Sequence, residues 1–476
     1  MTSHTPHNAH KYGQTSAQKV SLDEYLGPAR LQPKLGFWSV TALGVVTTST
    51  WLAYVQSLAP ALVGGGIVAM LWGYVLVVVM GAFTVLSLAE CAGIWATAGA
   101  QVDWVYMLSP PAWAPCLSYT NGWLAVFGMG LLGLGGEAIA ARAILSMAQL
   151  SHPDYTILPW HISIMGVLVA IITAIYGILG ARMLDKTNLA CFCVFVPLAL
   201  ALMITLLVEG SGNYNSADFA LTSFNNATGW TNDVIPFLSG LATAAFAVIA
   251  FDSVAHMSEE LETPARDTPR AMVLAFLANN ILALAIIFAI VFTITTDLSD
   301  LALSPSGFPI LDIVYNSTGS IVGTCFLISP LTILWLQCTA DINISTSRSI
   351  YAFARSDAFP GARFFSVINT KLDVPVRAVL AVIAVQIPLL WVNVGSSNAF
   401  TAFITMPAEA LYLSYGLPSF LMLVRGRKLG LDKDSAFRLG PILGPICNLI
   451  ASVWSVCLTV FLILPPTYPV TAQNMK

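Results

Sequence analysis

Residues 245–272 read AFAVIAFDSVAHMSEELETPARDTPRAM, and this stretch decides the fold because it joins two long apolar runs through a polar segment. The first run carries one acid, Asp252, and ends in a polar string with His256, Glu259 and Glu260. If the run spans a membrane, an acid near the bilayer centre costs about 2.5–3.5 kcal/mol on insertion scales. Asp252 is therefore predicted to face a bundle interior or a water-filled path. The alternative is that it lies near the interface and stays wet.

The polar segment that follows is predicted to be a loop with Pro264 and Pro269, and the next apolar run begins at Ala271. The string 251–260, with Pro264 and the string 269–272, resembles the sixth span and following loop of fungal permeases for GABA, choline and amino acids. These permeases belong to the amino acid–polyamine–organocation superfamily. The resemblance covers about residues 35–474, and it is specific to the family but weak on the substrate.

The composition is typical of a polytopic membrane protein. The 476 residues are 57% hydrophobic and 9% charged, whereas soluble proteins carry about 25% charged residues. A span needs about 20 apolar residues, and eleven predicted spans follow from this criterion. They are Gly36–Leu58, Ile67–Glu90, Leu117–Leu145, Trp160–Gly180, Leu189–Val208, Val234–Met257, Ala271–Thr295, Ile321–Ile342, Val376–Val394, Thr401–Val424 and Ile446–Leu464, numbered here as spans 1 to 11. All are predicted to be helices, because lipid offers the backbone no hydrogen-bond partners and no segment alternates like a barrel strand.

The basic residues predict the orientation in the membrane. Of the 20 Lys and Arg residues, 18 lie in segments that the predicted spans place on the same side of the membrane as the N-terminus. They are Lys11, Lys19, Arg30, Lys34, Arg182, Lys186, Arg266, Arg270, Arg348, Arg355, Arg363, Lys371, Arg377, Arg425, Arg427, Lys428, Lys433 and Arg438. Because Lys and Arg accumulate in cytoplasmic loops, the N-terminus is predicted to be cytoplasmic. Two glycosylation candidates, Asn226 and Asn316, fall in predicted outer loops and agree with this orientation.

The family resemblance implies an all-α transporter core of five-plus-five inverted repeats with broken spans 1 and 6. The predicted division is a disordered cytoplasmic tail at 1–34, the first repeat at 35–208, an outer loop at 209–233, the second repeat at 234–424, a cytoplasmic loop at 425–445, and span 11 with a short outer tail at 446–476. Eleven spans are one fewer than the family's usual twelve. We therefore expect either a shortened product or a gene model that ends early.

Span 1 has a polar centre, with Gly44 followed by Thr47, Thr48, Ser49 and Thr50. Hydroxyls and a glycine in mid-membrane can satisfy an opened helix, whose freed backbone groups can bind a carboxylate or an ammonium. The alternative is that Ser and Thr only pack helices together. The resemblance favours the first reading, because residues 44–51 and 246–251 match the places where the superfamily interrupts spans 1 and 6.

The resemblance also implies a substrate site near the middle of the membrane, between spans 1, 3, 6 and 8. The predicted contacts are Gly44, Val45, Thr48, Ser49, Glu137, Phe246, Ala247, Val248, Ile249 and Ala250. Phe246 matches an aromatic residue that closes over the substrate in the family, and it could also make a cation–π contact with an amine. Glu137 follows a glycine-rich string and either binds an amine or a proton, or has a structural partner elsewhere in the bundle.

Proton coupling and gating are assigned to acids on the cytoplasmic side of that site. Asp252 lies about six residues beyond Phe246, nearly two helical turns deeper, and is predicted to act in the inner gate or the proton path. Asp341 in span 8 could serve the same roles. Some superfamily branches carry a Lys in the middle of span 5, but residues 195–197 here contain no base. A carboxylate among Glu137, Asp252 and Asp341 would therefore carry the proton.

The segment after span 8, Arg348–Arg377, is predicted to be a cytoplasmic half-helix. Its cations could meet lipid headgroups, or acids such as Glu259 and Glu260, which are then gating residues. A merely solvated face is the alternative.

The sequence does not predict an enzyme. The six histidines form no metal pair at helical spacing, and there is no nucleotide-binding loop, so we expect no metal, cofactor or nucleic-acid partner. The resemblance implies a plasma-membrane permease that takes up an amino acid or a related amine such as GABA by proton symport. Choline or a polyamine is the alternative substrate, and a non-transporting receptor-like or inert truncated protein is the alternative class. The expected partners are a small-molecule substrate, protons and the lipid bilayer, and the sequence does not indicate whether there are protein partners.

Overall fold

The computed structural model describes residues 35–302, 304, 306–356 and 359–471. The predicted tail at 1–34 and the last residues, 472–476, lie outside this part of the chain. The described residues are almost entirely helical and contain no β-strand beyond three isolated bridges. Eight helices among them are long and apolar enough to cross a membrane. The prediction of an all-α polytopic membrane protein is confirmed.

Each of the eleven predicted spans corresponds to a helix or to a broken pair of helices. The observed bounds are Phe37–Thr48 and Thr50–Gln56 for span 1, Gly66–Ile94 for span 2, Ala114–Ser151 for span 3, Pro159–Leu179 for span 4, Leu184–Glu209 for span 5, Val234–Ala247 and Ser253–His256 for span 6, Pro264–Thr293 for span 7, Ile321–Arg355 for span 8, Val376–Gly395 for span 9, Ser397–Leu421 for span 10 and Gly440–Ile463 for span 11. Short helices connect them at Ala59–Val63, Gln101–Leu108, Ala217–Thr222, Leu298–Ala302, Pro309–Thr318 and Ala362–Phe365, with single turns at Ala181–Met183, Ser258–Glu260, Met422–Gly426 and Leu431–Asp434.

The loop predicted before span 7 is wrong, because the helix starts at Pro264 rather than at Ala271. Proline is tolerated in the first turn of a helix, where its missing N–H would have no acceptor. Pro269 removes one further hydrogen bond near the same end. The two prolines therefore suggested a loop, although a helix accepts Pro264 at little cost and continues through Pro269 despite the lost hydrogen bond.

The predicted end of span 8 at Ile342 is wrong, because the helix continues without interruption to Arg355 and includes the first part of the predicted half-helix. Nearly all of this extension is buried, and Arg348 is only 2% exposed. An apolar-length criterion ends the span early here, since these turns pack against protein and carry polar side chains. The extension brings its cations to the face on which Leu35 lies, called the inner face below because the basic residues predict that it is cytoplasmic.

Span 1 breaks at Ser49, which has the left-handed backbone conformation with φ 36°. Residues other than glycine rarely adopt this backbone conformation, so the surroundings must stabilise it. Asn279 of span 7 does so from both sides of the break. Its amide nitrogen donates to Val45 O (3.1 Å), and its amide oxygen accepts from the Thr50 N–H (3.0 Å).

Span 6 breaks over residues 248–252, between its two helices. Ala250 has φ 67°, and its N–H donates to the hydroxyl oxygen of Tyr415 in span 10 at 3.4 Å. Both breaks fall in or beside the stretches that the sequence predicted, 44–51 and 246–251.

The two broken spans pack against each other in both halves. In the outer halves, the hydroxyl of Thr243 donates to Ser57 O (2.8 Å) and accepts from the Ala61 N–H (3.1 Å). In the inner halves, a Cβ on Gly44 would lie 2.6 Å from Val254 Cγ2, so only glycine allows this approach. The breaks of spans 1 and 6 are therefore held side by side at the centre of the bundle.

Candidate functional site

Thr48 and Ser49, at the break of span 1, are predicted substrate contacts, but their hydroxyls donate hydrogen bonds to backbone carbonyls of the same span. Thr48 Oγ1 donates to Gly44 O (2.6 Å), and the Ser49 hydroxyl donates to Val46 O. The neighbouring hydroxyls of Thr47 and Thr50 are buried and have no hydrogen-bond partner among the described residues. Gly44 itself faces spans 6 and 7 and serves close helix packing.

Phe246 ends the outer half of span 6 and is half-buried between spans 3 and 10. A Cβ on Gly135 would lie 3.6 Å from Phe246 Cε2. Phe246 forms part of the wall of a small, mainly apolar cavity of about 80 Å³. The other lining residues are Ser57, Pro60, Ile139, Ala242, Thr243, Ile404, Thr405, Ala408 and Leu462. The volume corresponds to that of a few water molecules.

Glu137 is hydrogen-bonded to Asn343 of span 8, which in turn bonds to spans 4 and 9. Asn343 Nδ2 donates to Glu137 Oε1 and to the Thr173 hydroxyl, both at 3.2 Å, and Gln386 Nε2 donates to Asn343 Oδ1 (2.9 Å). The second carboxylate oxygen is buried without a partner in the described chain. Glu137 follows Gly135 by two residues, which is about 200° around the helix. It therefore points away from the side of span 3 that faces Phe246.

Asp341 lies between span 8 and span 5. Its Oδ1 accepts from Gln337 Nε2 (3.0 Å) and from Asn188 Nδ2 (3.4 Å). Oδ2 is buried and unpartnered within the described ranges. The structure thus gives both Asp341 and Glu137 amide partners and leaves one oxygen of each open.

Asp252 is fully buried at the inner side of the break in span 6. The Tyr415 hydroxyl donates to its Oδ1 and Gln101 Nε2 donates to its Oδ2, both at 2.6 Å. His256 Nε2 lies 3.4 Å from the same Oδ2. Asp252 therefore faces the protein interior rather than the interface, and three elements meet at its carboxylate.

Two ion pairs lie beyond Asp252 at the inner face. Arg348 Nε donates to Glu260 Oε1 (2.6 Å), and Arg355 donates to both carboxylate oxygens of Glu259 (2.6 and 3.1 Å). Of the alternatives open for these cations, the structure shows the contact with Glu259 and Glu260. The short helix Gln101–Leu108 adds Asp103, and burial raises the pKa of its carboxyl to about 6.

The residues that satisfy the two breaks were not predicted. Asn279 has a weak signal, since Asn279 and Asn280 are adjacent amides inside an apolar span. Gln101 and Tyr415 have none, because each reaches Asp252 across more than 150 residues of sequence. Within the described residues, no group of three or more His, Cys, Asp or Glu could hold a metal ion.

The two glycosylation candidates differ in their surroundings. Asn226 is half-buried, and its amide nitrogen donates to Trp230 O (2.9 Å). Asn316 is exposed on the helix Pro309–Thr318 and donates to the Thr296 hydroxyl (2.9 Å). Both remain candidates.

The fold is shared with a solved structure. It resembles MhsT in complex with L-phenylalanine with a TM-score of 0.62 and 14% sequence identity, over 91% of this chain and 99% of that one. This shared fold agrees with the five-plus-five core that the resemblance implied.

The sequence relatives are membrane transporters. A protein of Macrophomina phaseolina named as an amino acid/polyamine transporter is 30% identical over 90% of this chain and 94% of its own length. The choline transporter of Saccharomyces cerevisiae is 28% identical over 94% of this chain and 79% of its own length. These relatives are thus named as membrane transporters and not as enzymes.

The model of the amino acid permease family matches residues 35–476. The chain therefore belongs to the amino acid permease family, as the motif around Asp252 indicated.

Proposed function

We propose that the protein is a secondary active transporter that takes up an amino acid or a related amine, such as GABA, by proton symport. The observation that carries the proposal is the pair of broken spans 1 and 6, which lie side by side and interrupt their helices at Ser49 and at residues 248–252. Discontinuous helices that meet near the membrane midplane form the substrate site in transporters with inverted repeats. Family membership agrees with this reading.

The proposed site lies where the two breaks meet. Val45, Thr48, Ser49 and residues 246–250 would line it, with the aromatic ring of Phe246 on the outer side. The unpartnered hydroxyls of Thr47 and Thr50 add two polar groups beside the break. A polar substrate end could replace the missing partners of these groups, and an amine could contact the face of the Phe246 ring.

The proposed proton path uses the buried acids. Asp252 is the best placed, because it lies between the two breaks and the inner ion pairs, whereas Glu137 and Asp341 face scaffold amides. Alternating access would then open the inner face by separating Glu259 and Glu260 from Arg355 and Arg348. We assign the inner face to the cytoplasm and the protein to the plasma membrane, as the distribution of basic residues predicts.

A choline or polyamine permease is the second candidate. The yeast choline transporter matches nearly the whole chain, and Phe246 could bind a quaternary ammonium by a cation–π contact. A cationic substrate would also explain the buried acids without a cationic partner.

A substrate panel tests the proposal. Cells that express the full chain should accumulate at least one labelled compound among GABA, neutral amino acids, choline and putrescine above cells with an empty vector. Unlabelled excess of the same compound should compete. If the protein reaches the membrane folded and transports none of the panel, the non-transporting alternative replaces the proposal.

A further inference from the structure

We propose that Asp252 and His256 hold one exchangeable proton between them, carried on His256 Nε2, and that this proton fastens the inner half of span 6 to span 10 and to the segment before span 3. Its role in transport rests on the proton symport proposed above, whereas its existence can be tested without transport. The argument starts from the hydrogen-bonding capacity of each group.

The first step fixes the tautomer of His256. Its Nδ1 lies 2.8 Å from the carbonyl oxygen of Ala98. A carbonyl oxygen can only accept, so Nδ1 must carry a hydrogen. In a neutral imidazole, Nε2 would then be a bare acceptor, and it faces Asp252 Oδ2 at 3.4 Å.

The second step concerns the carboxylate of Asp252. The Tyr415 oxygen accepts from the Ala250 N–H, so its own hydrogen is free to donate to Asp252 Oδ1 at 2.6 Å. Gln101 must turn its NH₂ group toward Oδ2, because its carbonyl oxygen would repel a carboxylate. Two short bonds from donors stabilise the ionised form of a carboxylate.

The third step counts protons. An ionised Asp252 and a neutral His256 would set two lone pairs against each other in a site where Asp252, His256, Gln101 and Tyr415 are all 0% exposed. An uncompensated buried charge is costly, and a proton on Nε2 converts the repulsion into an ion pair. The pair therefore needs one proton, and the donors around the carboxylate favour its placement on the imidazole.

The charged groups around this pair support a cation at His256. On span 8, Arg348 and Arg355 are neutralised by Glu260 and Glu259. Asp103, on the helix Gln101–Leu108, interacts electrostatically with His256, Arg355 and Glu259. Span 10 contributes Tyr415, which bonds directly to Asp252. Among these acids, Asp103 has no basic partner at ion-pair distance in the described residues. Its negative charge therefore favours a positive imidazole at His256.

The consequence is a link between proton occupancy and the inner end of span 6. With the proton in place, Asp252 and His256 hold Tyr415, Gln101 and Ala98 around the break. Release of the proton leaves the carboxylate of Asp252 and the lone pair of His256 Nε2 facing each other. The contact between these two side chains is then lost, and the inner half of span 6 is free to move. Proton release on the inner side would thus accompany opening of that side.

Nitrogen-15 NMR of histidine-labelled full chain in nanodiscs tests the proton itself. The difference spectrum against His256→Gln identifies His256 among the six histidines. At pH 7 we expect both ring nitrogens of His256 to be protonated in the unmodified chain. We expect Nε2 to lose its proton in Asp252→Asn, because the Asn amide can donate to it. A neutral imidazole with a bare Nε2 in the unmodified chain would overturn the proposal.

Transport measurements separate this inference from the proposed function. In proteoliposomes, His256→Gln should lose concentrative uptake by about tenfold or more and keep substrate exchange without a gradient. His161→Gln is the matched control, since His161 bonds to Tyr155 near the start of span 4. Full proton-driven uptake in His256→Gln would overturn the inference and leave the proposed function standing. Failure of the unmodified chain to transport any substrate would remove the proposed function, and the NMR result would still decide the proton site.

Discussion

Arg348 Nε donates to Glu260 Oε1 at 2.6 Å, and this contact joins the inner end of span 8 to the inner end of span 6. The backbone of the same acid also binds the start of the described chain, since the Leu35 N–H donates to Glu260 O (2.9 Å). Arg355 and Glu259 repeat the link with two hydrogen bonds. Three segments are therefore joined at the place that we propose as the inner gate.

Removal of one partner from these pairs should loosen the inner face. Glu259→Gln removes the negative charge opposite the partly buried Arg355 guanidinium; loss of one partner of a fully buried pair costs about 3–5 kcal/mol, so we expect a smaller loss of stability here. We expect a lower midpoint of thermal unfolding and faster labelling of an introduced inner-face cysteine. The exposed neighbour Glu262, changed to Gln, is the control. The double variant Glu259→Gln/Arg355→Gln should recover part of the stability, and identical behaviour of Glu259→Gln and Glu262→Gln would contradict a gating role.

Phe246→Ala should weaken the apparent affinity for substrate. Loss of an aromatic contact with a desolvated amine is worth about 1–2 kcal/mol, or about 5- to 30-fold in affinity. Concentration-dependent uptake measures it, and Phe288→Ala on the outward face of span 7 is the control, because Phe288 is 40% exposed. An unchanged apparent affinity in Phe246→Ala would show that the substrate does not lie beside this ring.

Glu137→Gln should lower the affinity for cationic substrates most, by about tenfold for choline relative to GABA, if its charge attracts the amine. Gln can still accept the hydrogen bond from Asn343, so the fold should survive. Competition of choline and GABA for uptake measures the difference, with Asp341→Asn as the comparison. Reduced thermal stability with unchanged affinities would instead assign Glu137 to the scaffold, where its present partners lie.

Asp103 should make the protein less stable as the pH rises from about 4 to about 6. Burial raises its pKa to about 6 from an ordinary value near 3.8, so the folded protein holds this proton after the unfolded chain has released it. The stabilisation is complete below the unfolded pKa and is lost as the pH passes the folded one. Asp103→Asn should therefore be more stable than the unmodified chain at pH 7, by a few kcal/mol at most, since one pKa unit corresponds to about 1.4 kcal/mol.

Thermal unfolding of the purified protein across this pH range checks the prediction. The exposed residue Asp154, changed to Asn, is the control and should not alter the pH dependence. An Asp103→Asn variant with the unmodified chain's pH dependence would show that another group causes it.

Most of the fold was predictable because a bilayer requires spans that are long, apolar and helical, and such spans are visible in the sequence. Long apolar runs give the spans, and the motif around Asp252 gives the family. The predicted bounds of some helices were wrong where the same residue fits two local structures. Pro264 is an example, because its ring suits the first turn of a helix as well as a loop. Span 8 continued to Arg355 because burial in protein, rather than in lipid, stabilises its polar final turns.

The site was only partly predictable. The position of both breaks followed from the resemblance, but the groups that satisfy them did not, because Asn279, Gln101 and Tyr415 come from distant parts of the chain. The direction of Glu137 also needed the helix geometry, since sequence gives its neighbours along the chain but not the face of span 3 on which it lies. Substrate contacts and proton coupling remain predictions.

Uptake by proteoliposomes that contain the purified full chain tests the central claim most directly. Labelled GABA and choline are supplied outside in sodium-free buffer, with an inward proton gradient and with or without an uncoupler. We predict accumulation above the equilibrium level that collapses when the uncoupler is added and does not need Na⁺. Uptake that requires Na⁺ and ignores the uncoupler would contradict proton symport.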